Sequence, residues 1–301
     1  MKTKDRFLGC LVGLATGDAV GTTVEFKDRG DFEPLTDMVG GGPFNLQPGQ
    51  WTDDTSMALC LAASIIEKET IDSEDIMNKF CDWMDNGYMS SNGRCFDIGN
   101  TTKQALKRYQ KFGDTCSGGT DGWSIGNGAL MRLAPIPMLT YLNQNEIDTW
   151  AIVNSEYTHN VPESIDACRL YALMIADALH GKTKQEIITN HHDFAGHHTI
   201  VDIAKGGYLN KTSEQIKGSG YVVESLESAL WCFYTTDNFK DAILASANLG
   251  DDADTTAAIC GQLAGAYYGI DEIPQEWRKK LTMIDKIEEM AVQLYDLSQT
   301  W

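Results

Sequence analysis

Glycines recur every four residues near both ends of the chain, and this spacing constrains the fold more than any other feature. The N-terminal series is Gly9, Gly13, Gly17 and Gly21, and the C-terminal series is Gly261, Gly265 and Gly269. On an α-helix this period leaves one side free of side chains, so another helix backbone can approach closely. Each helical glycine costs about 0.5–1 kcal/mol relative to alanine, so close packing must compensate. We therefore predict that the two series lie near each other at the centre of the fold.

Helical periodicity dominates the rest of the sequence. Apolar residues spaced by three and four positions predict helices over 73–85, 101–112, 162–180 and 222–234. Segments that alternate β-branched and polar residues are nearly absent, and no Ser/Pro-rich linker divides the chain. The residues therefore predict one all-α domain spanning 1–301, which is long enough to bury a core without disulfides.

The charge balance restricts the possible partners. The chain carries 24 Lys and Arg against 43 Asp and Glu, for a formal net charge of −19. Nucleic-acid phosphates and anionic lipid surfaces are both bound by basic patches. We therefore expect neither nucleic acid nor a membrane as a partner. The sequence also leaves open how much of this acidity is surface charge and how much is chemistry.

The cysteines and the apolar runs indicate a compartment. Eight cysteines are scattered singly without a Cys-x-x-Cys pair, and the first residues do not resemble a secretory signal. We expect reduced, mostly buried thiols in a cytoplasmic protein. The longest apolar run, 58–66, falls short of the roughly 18 residues needed to span a bilayer and predicts a buried helix segment.

Two acidic clusters precede apolar helices. They read TDDT at 52–55 and DDADTT at 251–256. One interpretation is helix N-capping, at about 1 kcal/mol per cap. The other is metal binding, because crowded carboxylates repel each other unless a cation neutralises them, and all-oxygen ligands select hard ions such as Mg²⁺ or Mn²⁺. Two such clusters would suit a two-metal site, and their spacing alone leaves both interpretations open.

A series of motifs resembles the ADP-ribosylglycohydrolase family. In order from residue 5 to about residue 280 they are DRFLGCLVGLATGDAVGTTVEF, PGQWTDDTSMAL, FDIGNTT, GNGALMRLAPIP, THN and NLGDDADTTAAICGQLAGAYYGIDEIPQEW. Within the family the chain is most similar to the bacterial dinitrogenase reductase-activating glycohydrolases. The resemblance implies a compact, single-domain orthogonal helical bundle with a central binuclear metal cleft.

The resemblance also implies a metal site. It would hold two divalent cations, Mg²⁺ or Mn²⁺, as cofactors. The implied ligands, taken from both acidic clusters, are Thr52, Asp53, Asp54, Asp252, Asp254 and Thr255.

The resemblance further implies catalytic and substrate-binding residues. Asp97 and Glu25 compete for the main acid/base role. The implied ADP-ribose-binding residues are Gly126, Asn127, Gly128, Ala129, Met131 and His159, with Gly218 and Tyr221 near the adenosine end. The chain departs from the family pattern twice. Asp251 replaces a glycine directly before the D-x-D-T motif that begins at Asp252, and Val161 replaces a histidine after the THN motif.

The function implied by this resemblance is hydrolysis of an N-glycosidic bond. The enzyme would remove mono-ADP-ribose from arginine side chains of a modified protein and release ADP-ribose. One alternative is another ADP-ribose linkage: serine, O-acetyl-ADP-ribose, a nucleobase or a small guanidine. A different alternative is a relative that binds ADP-ribose without catalysis. Turnover of a panel of linkages distinguishes these alternatives.

Overall fold

The computed structural model describes residues 1–301 and is built from helices without a β-sheet, which confirms the all-α prediction. The α-helices are α1 (Thr3–Gly21), α2 (Asp53–Lys68), α3 (Ser73–Asn86), α4 (Asn100–Phe112), α5 (Pro135–Thr140), α6 (Gln144–Glu156), α7 (Pro162–Leu179), α8 (Lys184–Thr189), α9 (His198–Ala204), α10 (Val222–Thr235), α11 (Phe239–Ala247), α12 (Ala253–Tyr268), α13 (Gln275–Lys280) and α14 (Ile284–Ser298). The four helices predicted from periodicity each appear within about two residues of their predicted bounds.

The two glycine series pack against each other, as predicted. A Cβ atom added to Gly9 would overlap the carbonyl oxygen of Gly265, and one added to Gly13 would overlap that of Gly261. The backbones of α1 and α12 therefore touch directly along their glycine faces. Gly269 also lies against Gly9, although its φ of +81° places it just after α12, where it ends the helix.

Helix α1 lies at the centre of the core. Its residues from Gly9 to Gly21 are all buried. The segment Thr3–Val24 has a mean hydropathy of 1.4 and, by length and composition only, could cross a membrane, while 89% of its apolar window is buried within the fold. The sequence prediction overlooked this segment because glycines and Asp18 interrupt its apolar run. Such burial is typical of a core helix.

One apolar cluster of 81 buried residues extends from Phe7 in α1 to Leu294 in α14. All eight cysteines are free, and six of them are buried. This confirms the prediction of unpaired, mostly buried thiols. Because α1 packs against α12 and also contacts α2, the N-termini of α2 and α12 meet at one end of α1.

Candidate active site

The two acidic clusters, about 200 residues apart in sequence, form a single site. The Thr52 hydroxyl lies 3.1 Å from the Asp254 carboxylate. The Thr255 hydroxyl lies 3.3 Å from the Asp54 carboxylate, so each cluster donates a hydrogen bond to the other. The N-termini of α2 and α12 thus bring together the residues that the sequence predicted to act jointly.

The capping interpretation of these clusters is confirmed only in part. Thr52 and Asp252 occupy the N-cap positions of α2 and α12, yet neither side chain accepts a hydrogen bond from its own helix. Asp18 of α1 does this for α2, because its carboxylate accepts from the backbone N–H groups of Thr52 at 2.8 Å and Thr55 at 3.0 Å. At α12 the Asp254 carboxylate accepts from the Thr255 backbone N–H at 2.8 Å, so one cluster carboxylate does satisfy an amide of the first turn.

A cleft of about 620 Å³ opens beside these helix ends. Six carboxylates line it, and no Lys or Arg does: Glu25, Asp53, Asp97, Asp251, Asp252 and Asp254. A wall of this kind has a strongly negative potential and favours cations.

Glu25 and Asp97 approach the cluster from two loops. Each offers a carboxylate oxygen that, with one from Asp254, forms a trio whose atoms lie within 4.8 Å of one another. The Glu25 loop is held in place where the Phe26 N–H donates to the Asp251 carbonyl at 2.7 Å. Asp97 has a φ of +60°, a strained conformation for a residue other than glycine.

Burial raises the pKa values of these carboxyl groups. The pKa of Glu25 rises to about 10, because of burial first and then the charges of Asp97 and Asp252. The pKa of Asp97 rises to about 7, through burial and then the Asp252 charge. Burial also holds the pKa values of Asp53, Asp54 and Asp254 well above their usual range. Such a cluster must take up protons or bind cations.

The donor set fits a divalent metal ion. One carboxylate oxygen of Asp54, Oδ1, is buried and has no hydrogen-bond partner. An orphaned buried acceptor of this kind is costly unless a cation meets it. The Asp54 carboxylate accepts from the hydroxyls of Thr52 and Thr255, and the nearby trio of Glu25, Asp97 and Asp254 consists of carboxylates, a donor set that suits a hard ion. The acidic cluster could therefore hold a metal.

The opposite wall of the cleft is rich in glycine. The Asn127 side-chain amide donates to Asp252 at 2.8 Å and so ties this wall to the second acidic cluster. The ring of His159 fills the space beside Gly126 and Gly128, where a Cβ on Gly128 would lie 2.8 Å from the ring. The two glycines therefore leave room for the His159 ring, which forms part of the cleft surface here.

A buried arginine organises this wall. Arg132 donates to the Gly128 carbonyl at 2.8 Å and to the Thr158 hydroxyl at 2.9 Å. The Thr158 oxygen lies 2.8 Å from His159 Nδ1, so its own proton is free to donate to that nitrogen. When the Thr158 hydroxyl donates to Nδ1, the imidazole proton lies on Nε2. Burial and the Arg132 charge lower the pKa of His159 to about 3, so the ring is neutral.

Most of the predicted site residues line the cleft. They are Glu25, Asp53, Asp97, Gly126, Asn127, Gly128, Met131, His159, Asp252, Asp254 and Thr255. Five others do not: Thr52, Asp54, Ala129, Gly218 and Tyr221.

These five residues occupy other positions. Thr52 and Asp54 are buried behind the wall, and Ala129 belongs to the apolar core. Gly218 accepts a hydrogen bond from the Asp252 N–H at 2.8 Å and positions that backbone instead of lining the cleft. Tyr221 opens α10, is 36% exposed, and faces an adjoining pocket.

Several residues of the site were missed by the sequence analysis. Asp18 lies within the apolar N-terminal glycine series. The one indication of a role was that it is the single acidic residue of this series. Arg132 follows Gly128 by four residues, the spacing at which a side chain reaches the carbonyl one turn back. Phe26 and Phe44 also line the cleft, and nothing in their local sequence indicated this.

Known proteins resemble this chain over its whole length. The model of the ADP-ribosylglycohydrolase family matches residues 1–301. ADP-ribosylarginine hydrolase Tri1 of Serratia proteamaculans (strain 568) is 44% identical over 291 residues, which cover 97% of this chain and 79% of that protein. ADP-ribosyl-[dinitrogen reductase] glycohydrolase of Rhodospirillum rubrum is 36% identical, covering 93% and 91%. A solved structure described as an ADP-ribosylglycohydrolase-related protein complex has a TM-score of 0.88 at 35% identity and covers 99% of each chain.

Proposed function

This chain belongs to the ADP-ribosylglycohydrolase family, and from that premise we propose that it removes mono-ADP-ribose from arginine side chains of a modified protein. The relatives named for arginine-linked or protein-linked ADP-ribose support this choice. The observation that carries the proposal is the convergence of both acidic clusters on one cleft that no Lys or Arg lines. We further place the enzyme in the cytoplasm, since its thiols are unpaired.

Two divalent cations, Mg²⁺ or Mn²⁺, are the proposed cofactors. The proposed ligands are Thr52, Asp53, Asp54, Asp252, Asp254 and Thr255. When bound, such ions neutralise the carboxylates and supply Lewis-acid binding of sugar hydroxyls and water. The orphaned Asp54 oxygen and the carboxylate or hydroxyl side chains of all six residues support this set.

The reaction breaks the bond between the ribose anomeric carbon and a guanidino nitrogen. Water oxygen bonds to that carbon, the electron pair of the broken bond stays on nitrogen, and one proton passes from water to the guanidine. The transition state has oxocarbenium character, which nearby carboxylates stabilise. Asp97 and Glu25 lie close enough to Asp254 to serve this centre, and they remain the two candidates for moving the proton.

The glycine-rich wall is the proposed binding surface for ADP-ribose. Backbone N–H groups at Gly126 and Gly128 can approach a diphosphate closely. The neutral His159 presents its Nε2 proton as a hydrogen-bond donor and adds no charge. Asn127 and Met131 complete this surface, with Tyr221 beyond it toward the adenosine end.

The deciding experiment measures ADP-ribose release from an arginine-ADP-ribosylated protein. The protein is assayed with Mg²⁺ or Mn²⁺, and again with a chelator, which we expect to abolish release. Asp252→Ala should also abolish it, while Asp285→Ala, an exposed acid on α14, should not. If the wild-type protein releases nothing under any of these conditions, the arginine assignment is wrong.

A panel of other linkages tests the alternatives. Serine-linked ADP-ribose, O-acetyl-ADP-ribose, an ADP-ribosylated nucleobase and a small ADP-ribosylated guanidine are assayed beside the arginine substrate. A higher kcat/KM on one of them would reassign the substrate. Tight binding of ADP-ribose with no turnover of any linkage would favour a non-catalytic relative.

A further inference from the structure

Three phenylalanines connect the two loops that carry Glu25 and Asp97. Phe26 follows Glu25 directly, and Phe96 precedes Asp97 directly. Phe44 lies between them, with its ring centroid 6.4 Å from that of Phe26 and 5.2 Å from that of Phe96. The aromatic rings thus form a continuous row beside both acid/base candidates.

Phe26 is held in a costly position. Its side chain is 68% exposed, which leaves much of an apolar ring in water. Its φ of +62° lies in the left-handed region, which is unfavourable for a bulky residue. The hydrogen bond from its N–H to the Asp251 carbonyl fixes this backbone. Strain and exposure together at a cleft are typical of a residue kept for function.

The chemistry of this part of the cleft favours a planar cation. Phe26 and Phe44 both line the cleft, where six carboxylates and no Lys or Arg are found. The faces of phenyl rings carry partial negative charge and attract cations, and a guanidinium stacks on them especially well. A neutral hydroxyl leaving group would gain no comparable attraction.

Resting on the function proposed above, we propose that Phe26 and Phe44 form the leaving-group subsite. Their rings bind the guanidinium of the modified arginine by cation–π contact, beside Asp97 and Glu25. Phe96 packs against Phe44 and positions it. These two phenylalanines therefore determine which ADP-ribose linkage the enzyme accepts.

The test replaces each ring with an aliphatic side chain. Phe26→Leu and Phe44→Leu keep an apolar group but remove the π face. For peptides that differ only in linkage, kcat/KM should fall about 3- to 20-fold on the arginine-linked substrate, mainly through KM. Phe26→Trp keeps a π face and should lose less kcat/KM on the arginine-linked substrate than Phe26→Leu does. The Kd of free ADP-ribose, measured by calorimetry with Mn²⁺, should stay within about twofold of the wild-type value, because free ADP-ribose carries no leaving group for these rings to contact.

The matched control is Phe112→Leu. Phe112 is also 68% exposed, but it lies at the end of α4 outside this cleft.

Binding of agmatine, a small guanidinium, provides a second measurement that does not depend on turnover. In the presence of ADP-ribose, agmatine should bind both leucine variants at least about threefold more weakly than the wild type. The proposed subsite is wrong if neither leucine variant differs from Phe112→Leu in agmatine binding and in arginine-linked turnover. It is also wrong if both variants lose ADP-ribose affinity by as large a factor as they lose kcat/KM on the arginine-linked substrate. If the wild type releases nothing from any linkage, the proposed function fails, and the agmatine titration still decides the subsite.

Discussion

The glycine contact between α1 and α12 and the acidic cleft at its end are built from the same helices but by opposite means. Along the contact, backbones touch because side chains are missing, and Arg6 of α1 donates to the carbonyls of Ala266 and Tyr267 at the end of α12. In the cleft, carboxylates crowd together and one buried oxygen has no partner. The comparison shows how the protein tolerates carboxylates that repel each other. The close helix contact fixes the helix ends that carry them, and a bound cation can then offset their repulsion.

The largest expected effect comes from breaking the glycine contact. Gly13→Ala places a methyl group on the carbonyl of Gly261, and neither backbone can move without displacing its helix. We expect a loss of about 3 kcal/mol or more in the free energy of unfolding, or failure to fold. Thermal unfolding and soluble yield measure this. Gly122→Ala is the control, since a Cβ there meets nothing within 4 Å, and an equal loss in both variants would contradict the packing argument.

The second prediction concerns the cleft. Removing a charge there should raise the stability of the metal-free protein, whereas adding a methyl group to the glycine contact lowers stability. Asp53→Asn removes one of the crowded carboxylates, whose pKa burial and neighbouring charges hold well above its usual range. Activity should fall about 100-fold or more. The metal-free protein should nevertheless melt about 1–3 °C higher at pH 8, because repulsion is relieved. A lower melting temperature would show that Asp53 is stabilising even without metal.

The third prediction concerns pH and the metal-free protein. Since the pKa of Asp97 rises to about 7 and that of Glu25 to about 10, the folded state binds more protons than the unfolded chain above roughly pH 4. Stability should therefore fall as pH rises from about 5 to 8. Saturating Mn²⁺ should largely remove this slope. Melting curves at several pH values, with and without chelator, measure it, and a metal-free stability that rises over this range would contradict the raised pKa values.

The smallest effect is expected at Asp251, which lines the cleft and has a positive φ. Its φ of +59° lies in the left-handed region that glycine adopts without strain. Asp251→Gly should therefore be more stable than Asp251→Ala by about 1 kcal/mol, since both remove the charge and only alanine keeps the strain. Chemical denaturation of the two variants measures the difference. Equal stability would mean that this backbone relaxes.

The sequence predicted those parts of the structure that depend on regular spacing. The four-residue glycine period was enough to pair α1 with α12, because only backbone contact explains so many helical glycines. The clusters at 52–55 and 251–256 were expected to act together, and their hydroxyl–carboxylate contacts confirm that they meet. Their roles as metal ligands stay a prediction.

Features that depend on loops could not be predicted. The row of Phe26, Phe44 and Phe96 joins three loop segments, and no period in the sequence links them. The capping of α2 by Asp18 also escaped prediction, since a cap is normally sought next to its own helix. Gly218 was assigned to the adenosine end by resemblance alone, and the structure shows its carbonyl supporting the Asp252 backbone.

The reach of Asp18 from the first helix to the start of α2 has a consequence for synthesis on the ribosome. Asp18 and α2 emerge early, so half of the acidic cluster can be arranged while translation continues. The other half, with the helix that packs on the α1 glycines, arrives only after residue 250. An unfinished chain therefore exposes an unpaired glycine face and carries no complete site. Catalytic competence is thus tied to synthesis of the segment that carries Asp252, Asp254 and α12.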